Sequence, residues 1–146
     1  MVLNPDFTEF LQLLNDNQVR YLVTGGYAVA LHGYPRYTKD LDIWIELSRD
    51  NAKKLIAALD EFGFASLGLS DQDFLEPGTV IQLGYPPNRI DLLTTVTGVD
   101  FEACYESRIV IHVDDVDVNF IDLVNLRKNK RAVGRPQDLA DLDNLE

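Results

Sequence analysis

Apolar residues recur along the chain at two spacings, one typical of α-helices and the other typical of β-strands. In "NPDFTEFLQLLNDN" they recur at helical spacing after a Pro5-Asp6 start, which predicts an amphipathic opening helix. The clearest helix is "SRDNAKKLIAALDEFGF", where Ser48 can cap the first turn and Gly63 can end the last. Shorter helices are predicted in "GYAVALHG" and "DFEACYES", and two more close the chain in "DLVNLRKNKRAVG" and "PQDLADLDNLE".

Strands are predicted where apolar and polar residues alternate or where β-branched residues cluster. In "KDLDIWIEL" the alternation puts Leu41, Ile43 and Ile45 on one face and Asp40, Asp42 and Trp44 on the other. "RYLVT" is a short strand before a glycine pair, and "TVIQLG" and "RIDLLTTV" are paired strands joined through "YPPN". "RIVIHVDDVDVNFI" predicts a hairpin that turns at Asp114-Asp115. Strands mixed with helices on a short chain predict an α+β or α/β sandwich fold.

Length and composition favour one cytoplasmic domain. A chain of 146 residues that is 46% hydrophobic suits a single core, so one domain is predicted over 1–146, with C-terminal helices at about 121–146. No apolar run approaches the length of a membrane span, and the first residues lack the layout of a secretory signal. Cys104 is the one cysteine, which excludes an internal disulfide and leaves oxygen or histidine ligands for any metal.

The charge is acidic overall but basic near the end of the chain. A formal net charge of −11 argues against a broadly basic surface that grips nucleic acid. Five basic residues nevertheless fall within nine positions: Arg127, Lys128, Lys130, Arg131 and Arg135. This cluster is either a local anion site or a solvated helix face, and the sequence leaves both interpretations open.

Two aspartates on a half-buried strand need an explanation. Asp40 and Asp42 project to the same face, roughly 7 Å apart along the strand. Their mutual repulsion and lost hydration are unfavourable unless protonation or a cation relieves them. A hard divalent cation such as Mg²⁺ prefers carboxylate oxygens and would relieve the pair best. The alternative is an edge strand whose acidic face lies in water.

Two further features favour the cation. Gly25 and Gly26 lie between a strand and a helix, where backbone N–H groups can receive a phosphate that the missing side chains let approach. Asp91 lies on a predicted strand that can pair beside the first, although it could also be an exposed strand acid. A phosphate cradle with a three-carboxylate metal cluster is what phosphoryl or nucleotidyl transfer requires.

These motifs resemble those of a known superfamily. A Gly-Gly turn, a thirteen-residue spacer and then "DLD" before an apolar strand is similar to the signature of the DNA polymerase β-like nucleotidyltransferases. The string "GGYAVALHGYPRYTKDLDIWI" resembles the minimal bacterial branch, which includes AbiEii-type toxins of toxin–antitoxin pairs. The tail "NKRAVGRPQDLADLDNL" resembles the end of the same branch.

The resemblance implies a small mixed sheet with helices packed mainly on one side and an active site at the glycine turn. Asp40, Asp42 and Asp91 would bind Mg²⁺, or Mn²⁺ in its place, and Asp91 would lie near the attacking hydroxyl. The triphosphate and its charge would be held by Gly25, Gly26, Arg36, Lys39, Lys130 and Arg135. Many members have a serine in place of Gly26, and its hydroxyl can bind phosphate.

Other polar and aromatic residues are expected to have structural roles. Asp138 and Asp141 share a helix face with Arg135, which predicts capping and a local ion pair, with Asp138 orienting Arg135 or Lys130. Trp44 is expected to pack in the core or at its rim, although it shares the predicted face of the two strand aspartates.

The predicted function is therefore metal-dependent transfer of a nucleoside monophosphate from a nucleoside triphosphate to an acceptor hydroxyl, with release of pyrophosphate. The tail favours an RNA end as acceptor, such as that of transfer RNA, and a small molecule such as an antibiotic is the alternative. A second class is a non-catalytic nucleotide- or partner-binding module, such as the antitoxin-like half of a pair. A cognate partner protein is compatible with either class, and no membrane is expected.

Overall fold

The computed structural model describes residues 3–33, 39–85 and 88–145. The helices in chain order are α1 (Pro5–Asp16), α2 (Gly25–Leu31), α3 (Arg49–Phe62), α4 (Phe101–Glu106), α5 (Leu123–Val133) and α6 (Pro136–Asn144). The strands are β1 (Tyr21–Thr24), β2 (Leu41–Ile45), β3 (Val80–Leu83), β4 (Ile90–Leu93), β5 (Ile109–Val113) and β6 (Val116–Phe120).

Within these residues the six strands form one mixed sheet in the order β3-β4-β2-β1-β6-β5. The pairs β2–β4 and β1–β6 are parallel, and the other three pairs, including the central pair β1–β2, are antiparallel. This confirms the predicted α+β fold with a small mixed sheet. The central position of β1 and β2 explains why both strands are rich in apolar residues, since both faces are largely covered.

The element boundaries follow local chemistry. The Asn4 side chain accepts a hydrogen bond from the Asp6 N–H at the start of α1, and Ser48 accepts one from the Asn51 N–H at the start of α3. Gly63 ends α3 in the left-handed conformation that glycine adopts without a steric penalty. Two short 3₁₀ turns at Ala65–Leu67 and Asp71–Phe74 were not expected from the sequence.

The β5–β6 hairpin turns at Asp114 and Asp115, as predicted. Both residues have positive φ, 48° and 66°, which is the backbone twist that a two-residue hairpin loop requires. Aspartate tolerates this conformation better than most residues, so the turn forms without glycine.

The alternation in β2 gives the sheet two different faces. Leu41, Ile43 and Ile45 are at most 1% exposed and belong to the apolar core. Asp42 and Trp44 project to the other face, because successive strand residues point in opposite directions. The ring of Trp44 packs edge to face against Phe101 of α4, with centroids 5.1 Å apart. Helix α4 therefore covers part of the face that carries Asp42.

Candidate active site

The strand register brings the predicted site residues of β1, β2 and β4 side by side. Asp42 is the Cα partner of Thr24 on antiparallel β1 and of Asp91 on parallel β4. The prediction that Asp91 lies on a strand beside the first aspartates is confirmed. Thr24 is the last residue of β1, so the turn into α2 lies next to Asp42.

Gly25 is in direct contact with Asp42. Its φ is +66°, and a β-carbon built on it would lie 2.0 Å from Oδ2 of Asp42. A side chain at this position would therefore be excluded both by backbone strain and by the carboxylate. Glycine was expected here so that an anion could approach the backbone, and the anionic group found against it belongs to the protein itself.

The environment of Asp42 disfavours its ionised form. Burial, the nearby charges of Asp91 and Asp40, and a hydrogen bond shared with Asp91 raise the pKa of Asp42 to about 7, against a smaller opposing effect of Arg89. Asp91 is only 7% exposed, so little water reaches the pair. The repulsion that the sequence predicted between like charges is thus present, and Asp91 contributes more to it than Asp40 does.

Arg89 links the other two aspartates. Its Nε and Nη2 donate to Oδ1 and Oδ2 of Asp91 at 2.7 and 3.1 Å, and its Nη2 lies 3.0 Å from Oδ2 of Asp40. This bidentate geometry is the strong form of a guanidinium–carboxylate pair. Arg89 therefore neutralises part of the negative charge that Asp40, Asp42 and Asp91 create together.

The three carboxylates adjoin one another but are not preorganised as a metal site. Across residues 3–33, 39–85 and 88–145, no group of three His, Cys, Asp or Glu side chains is arranged to hold a metal ion. The pairing of Arg89 with Asp40 and Asp91 is the physical reason, because it fixes these two carboxylates toward a guanidinium. The assignment of Asp40, Asp42 and Asp91 as metal ligands stays a prediction.

The chemistry of the site still fits a hard divalent cation. Oδ1 of Asp40 is buried and has no hydrogen-bond partner among the residues that the structure describes. The raised pKa of Asp42 means that its ionised form lacks a sufficient positive partner. Carboxylate oxygens are the ligands that Mg²⁺ prefers, so a cation here would satisfy the buried oxygen and stabilise the ionised carboxylate.

The tail of the chain supplies a buried ion-pair network. Nζ of Lys130 lies 3.2 Å from Oδ1 of Asp138 and 3.1 Å from Oδ2 of Asp141, and all three residues are at most 5% exposed. Arg135 donates from Nε to Oδ2 of Asp138 at 2.7 Å. Hydrogen bonds from Arg135 and then Lys130 hold the pKa of Asp138 at about 2. The expected structural role of both aspartates, with Asp138 contacting Lys130 and Arg135, agrees with this geometry.

A cavity of about 290 Å³ is lined by residues from both the N-terminal and the C-terminal parts of the chain. Its lining includes Gly25 and Asp42 from the front motif and Lys130 and Arg135 from the tail motif. Arg135 lies close enough for the charge of Asp42 to raise the pKa of the guanidinium, after the larger effects of Asp138. Residues far apart in sequence thus form a single concave site with a carboxylate on one side and two cations on the other.

The remaining predicted residues lie around this cavity or away from it. Asp40 and Asp91 adjoin Asp42 through charge and through Arg89 but do not line the cavity. Gly26 is buried within the first turn of α2, where it packs rather than lines the cavity. Lys39 is exposed and is not part of the lining. Arg36 lies outside the described residues.

Sequence reasoning missed three residues of the site. Arg89 stands two positions before Asp91 on an extended segment, and this spacing alone places both on one face. Thr24 and Asn129 also line the cavity. Thr24 directly precedes the glycines, so its place in the site could have been predicted from the sequence. The place of Asn129 in the lining depends on how α5 packs and could not.

Some basic residues of the tail agree with a local anion site and others with a solvated helix face. Lys130 is buried and Arg135 lines the cavity, which agrees with a local anion site. Lys128 and Arg131 are exposed, as a solvated helix face would be, and Arg127 donates to the backbone carbonyl of Leu145.

Comparison with protein families gave a match to the N-terminal part of the chain. The family model of aminoglycoside-2''-adenylyltransferases matches residues 6–74, which include the glycine turn and the DLD strand. A search of curated proteins gave no match.

Solved structures with a similar fold cover almost the whole chain. One is described as a candidate nucleotidyltransferase from Thermotoga maritima, with TM-score 0.65 and 15% identity over 98% of this chain and 93% of that one. The chain has the nucleotidyltransferase fold.

Two further structures support the fold assignment. An antigenic nucleotidyltransferase-like protein from Paracoccidioides brasiliensis matches with TM-score 0.57 and 18% identity over 95% of this chain and 73% of that one. A lincosamide antibiotic adenylyltransferase, solved with lincomycin bound, matches with TM-score 0.56 and 16% identity over 99% and 96%. The resemblance to nucleotidyltransferases is thus confirmed at the level of the fold, and the AbiEii-type branch stays a prediction.

The described helices give no sign of a membrane span. None of those within residues 3–33, 39–85 and 88–145 has the length and apolar character needed to cross a bilayer.

Proposed function

We propose that the protein transfers a nucleoside monophosphate from a nucleoside triphosphate to an acceptor hydroxyl, with release of pyrophosphate. The observation that carries this proposal is the cavity in which Gly25 and Asp42 face Lys130 and Arg135. A transferred phosphoryl group needs positive charge around its oxygens and a carboxylate site beside it. The cavity offers both within one concave surface.

The cationic side of the cavity suits the phosphates. The side chain of Arg135 is 70% exposed. Its guanidinium can therefore contact an anion while its Nε donates to Asp138. Lys130 is fixed by Asp138 and Asp141 and contributes a positive charge at the cavity wall. Thr24 lines the same cavity and makes no capping hydrogen bond to α2. Its hydroxyl can supply the phosphate contact that a serine at the position of Gly26 would make.

The acidic side suits a divalent metal and the acceptor hydroxyl. Asp40, Asp42 and Asp91 would hold Mg²⁺ or Mn²⁺, which when bound polarises phosphoryl oxygens and makes a hydroxyl more acidic. Asp91, the strand partner of Asp42, would lie near the attacking hydroxyl and assist its deprotonation. Arg89 holds Asp91 and thereby fixes its carboxylate relative to Asp42.

A small-molecule acceptor fits the surface better than an RNA end. The net charge is −11, which disfavours a large RNA-binding surface. In the basic tail, Lys130 and Arg135 line the cavity proposed for the phosphates and Arg127 donates to the carbonyl of Leu145, so few basic residues are left to hold an RNA end. The family model that matches the first half of the chain and one similar structure are antibiotic adenylyltransferases, which supports a hydroxyl-bearing, cationic small molecule as acceptor. An RNA end and a cognate partner protein stay predictions.

The test is transfer of α-labelled nucleotides. The protein is incubated with Mg²⁺ and each labelled triphosphate together with aminoglycosides, lincosamides, total RNA or protein extract in parallel. We expect label in the antibiotic fraction and its loss in Asp42→Asn, whose fold is checked by circular dichroism. Label in RNA alone would overturn the choice of acceptor, and metal-dependent binding without transfer to any acceptor would support the non-catalytic alternative.

A further inference from the structure

A second cavity lies next to the first. It has a volume of about 200 Å³, and Thr95 and Val96, in the segment after β4, line both cavities. The rest of its wall is mainly aromatic and aliphatic, with Trp44, Leu47, Val99 and Phe101, and is completed by Thr94 and Asp100. The two cavities therefore adjoin, but one is cationic and polar and the other is largely apolar.

Trp44 gives this second cavity an unsatisfied hydrogen-bond donor. The residue is only 2% exposed, and its Nε1 is buried without a hydrogen-bond partner among the residues that the structure describes. An indole N–H can only donate, and when buried it normally finds an acceptor. A buried donor without an acceptor is an exception, and the cavity beside the indole has room for an acceptor atom.

The position of Trp44 links it to the candidate active site. It follows Asp42 by two positions on β2, so both side chains project to the same face of the sheet. Phe101 packs against the indole at 86° and fixes its orientation. A molecule that places its phosphates beside Asp42, Lys130 and Arg135 can thus extend into the cavity beside Trp44.

We propose that this second cavity binds the heteroaromatic base of the nucleoside triphosphate, with the Trp44 N–H donating to a ring nitrogen or carbonyl oxygen of the base. This inference rests on the proposed function. A base is flat, has apolar faces, and carries acceptor atoms at its edge, which matches an aromatic and aliphatic wall with one unsatisfied donor. The carboxylate in this wall, Asp100, already accepts a hydrogen bond from the Ala103 N–H at the start of α4, so the mainly apolar wall suits a base better than a cationic, hydroxyl-rich acceptor.

Trp44 is the only tryptophan of the chain, so its fluorescence reports on this cavity alone. The full-length protein is titrated with Mg²⁺–ATP and, separately, with inorganic tripolyphosphate, which carries the phosphates without a base. We expect ATP to change the Trp44 emission and tripolyphosphate to bind without changing it. Binding of both ligands is measured independently by calorimetry.

Two variants separate the base contact from the fold. Trp44→Phe keeps an aromatic ring and removes the N–H, and loss of one such hydrogen bond should weaken ATP binding about tenfold. Tripolyphosphate binding should not change. Val99→Phe keeps Trp44 and fills the second cavity without touching the lining of the first, so it should weaken ATP selectively as well.

The possible outcomes distinguish this inference from the proposed function. ATP that binds no tighter than tripolyphosphate, or that supports transfer while Trp44 emission stays constant, would overturn the base site alone. Emission that responds to kanamycin or lincomycin but not to ATP would assign the cavity to the acceptor and overturn it too. Absence of calorimetric binding by ATP and by each of the other nucleoside triphosphates would overturn the proposed function together with the base site.

Discussion

Gly25 and Asp42 touch across the first two strands of the sheet, where a β-carbon on Gly25 would lie 2.0 Å from Oδ2 of Asp42. This contact explains why the glycine turn and the DLD strand belong to one site. The register of β1 against β2 places Thr24 opposite Asp42, and the chain then enters α2 beside the carboxylate. Any side chain at position 25 must displace the carboxylate or the turn.

Gly25→Ala should therefore reduce both transfer and stability. The positive φ of +66° costs about 1 kcal/mol for alanine, and overpacking against Asp42 adds about 1–3 kcal/mol. The free energy of unfolding from denaturant titration gives the stability effect. Nucleotide transfer should fall much further, because the Asp42 carboxylate is displaced from its position.

Gly68→Ala is the matched control for this substitution. Gly68 has a nearly identical φ of +69°, but a β-carbon there would meet no atom within 4 Å. It should show the backbone penalty alone and keep full transfer activity. Equal losses of stability and activity in the two variants would contradict the contact between Gly25 and Asp42.

Most helices and strands could be predicted from the sequence because the residues that start and end them act within a few positions along the chain. Ser48 and Gly63 bound α3 by capping chemistry that acts within one turn. Asp91 was predicted beside Asp42 because it lies on a second strand that can pair with β2, and the register confirms this pairing. The same reasoning did not predict the Arg89 bridge, since it was applied to the acids and not to the cation two positions away.

Features that depend on packing between distant segments could not be predicted. Lys130 stands in a basic run for which the sequence left an anion site and a solvated face open, and it is only 5% exposed because α6 brings Asp138 and Asp141 over it. The contact of Gly25 with Asp42 likewise depends on strand register and not on composition. Such contacts are set by the fold as a whole, which a single sequence specifies only indirectly.

The raised pKa of Asp42 predicts a specific dependence of stability on pH. The carboxyl ionises near pH 3.8 in the unfolded chain and near 7 in the folded protein. Between these two pH values the folded protein binds more protons than the unfolded chain does. The free energy of unfolding therefore falls as pH rises through this range, and this group causes no further change above about pH 7. A shift of this size corresponds to about 2–4 kcal/mol in total, lost as pH rises through this window.

Asp42→Asn should remove this loss because an amide does not ionise. The measurement is the free energy of unfolding of the variant minus that of the parent, in a buffer that contains a metal chelator. This difference should rise from acidic pH to pH 7 and then level off. Taking the difference cancels the titration of groups that do not interact with position 42. A difference that stays constant across this range would show that the carboxyl of Asp42 is not perturbed.

Lys130 should be essential for folding as well as for transfer. Lys130→Met leaves Asp138 and Asp141 buried without their shared cation, and such a loss destabilises proteins by about 3–5 kcal/mol. Denaturant unfolding measures this effect. Lys128→Met, at an exposed position on the same helix, should change stability by less than about 0.5 kcal/mol and serves as control. Similar stability of the two variants would contradict the buried network.

Arg89 tests whether the acidic residues attract a divalent cation. Arg89→Gln leaves Asp40 and Asp91 without their guanidinium beside Asp42, so the variant should be less stable than the parent in chelator. Mg²⁺ should then raise its melting temperature more than that of the parent, because the cation replaces the lost positive charge. Arg20→Gln is matched to it, since Arg20 also joins two carboxylates, Glu46 and Glu102, away from this site. Mg²⁺ should stabilise the Arg20 variant no more than the parent, and an equal effect of Mg²⁺ on all three proteins would argue against a cation site at Asp40, Asp42 and Asp91.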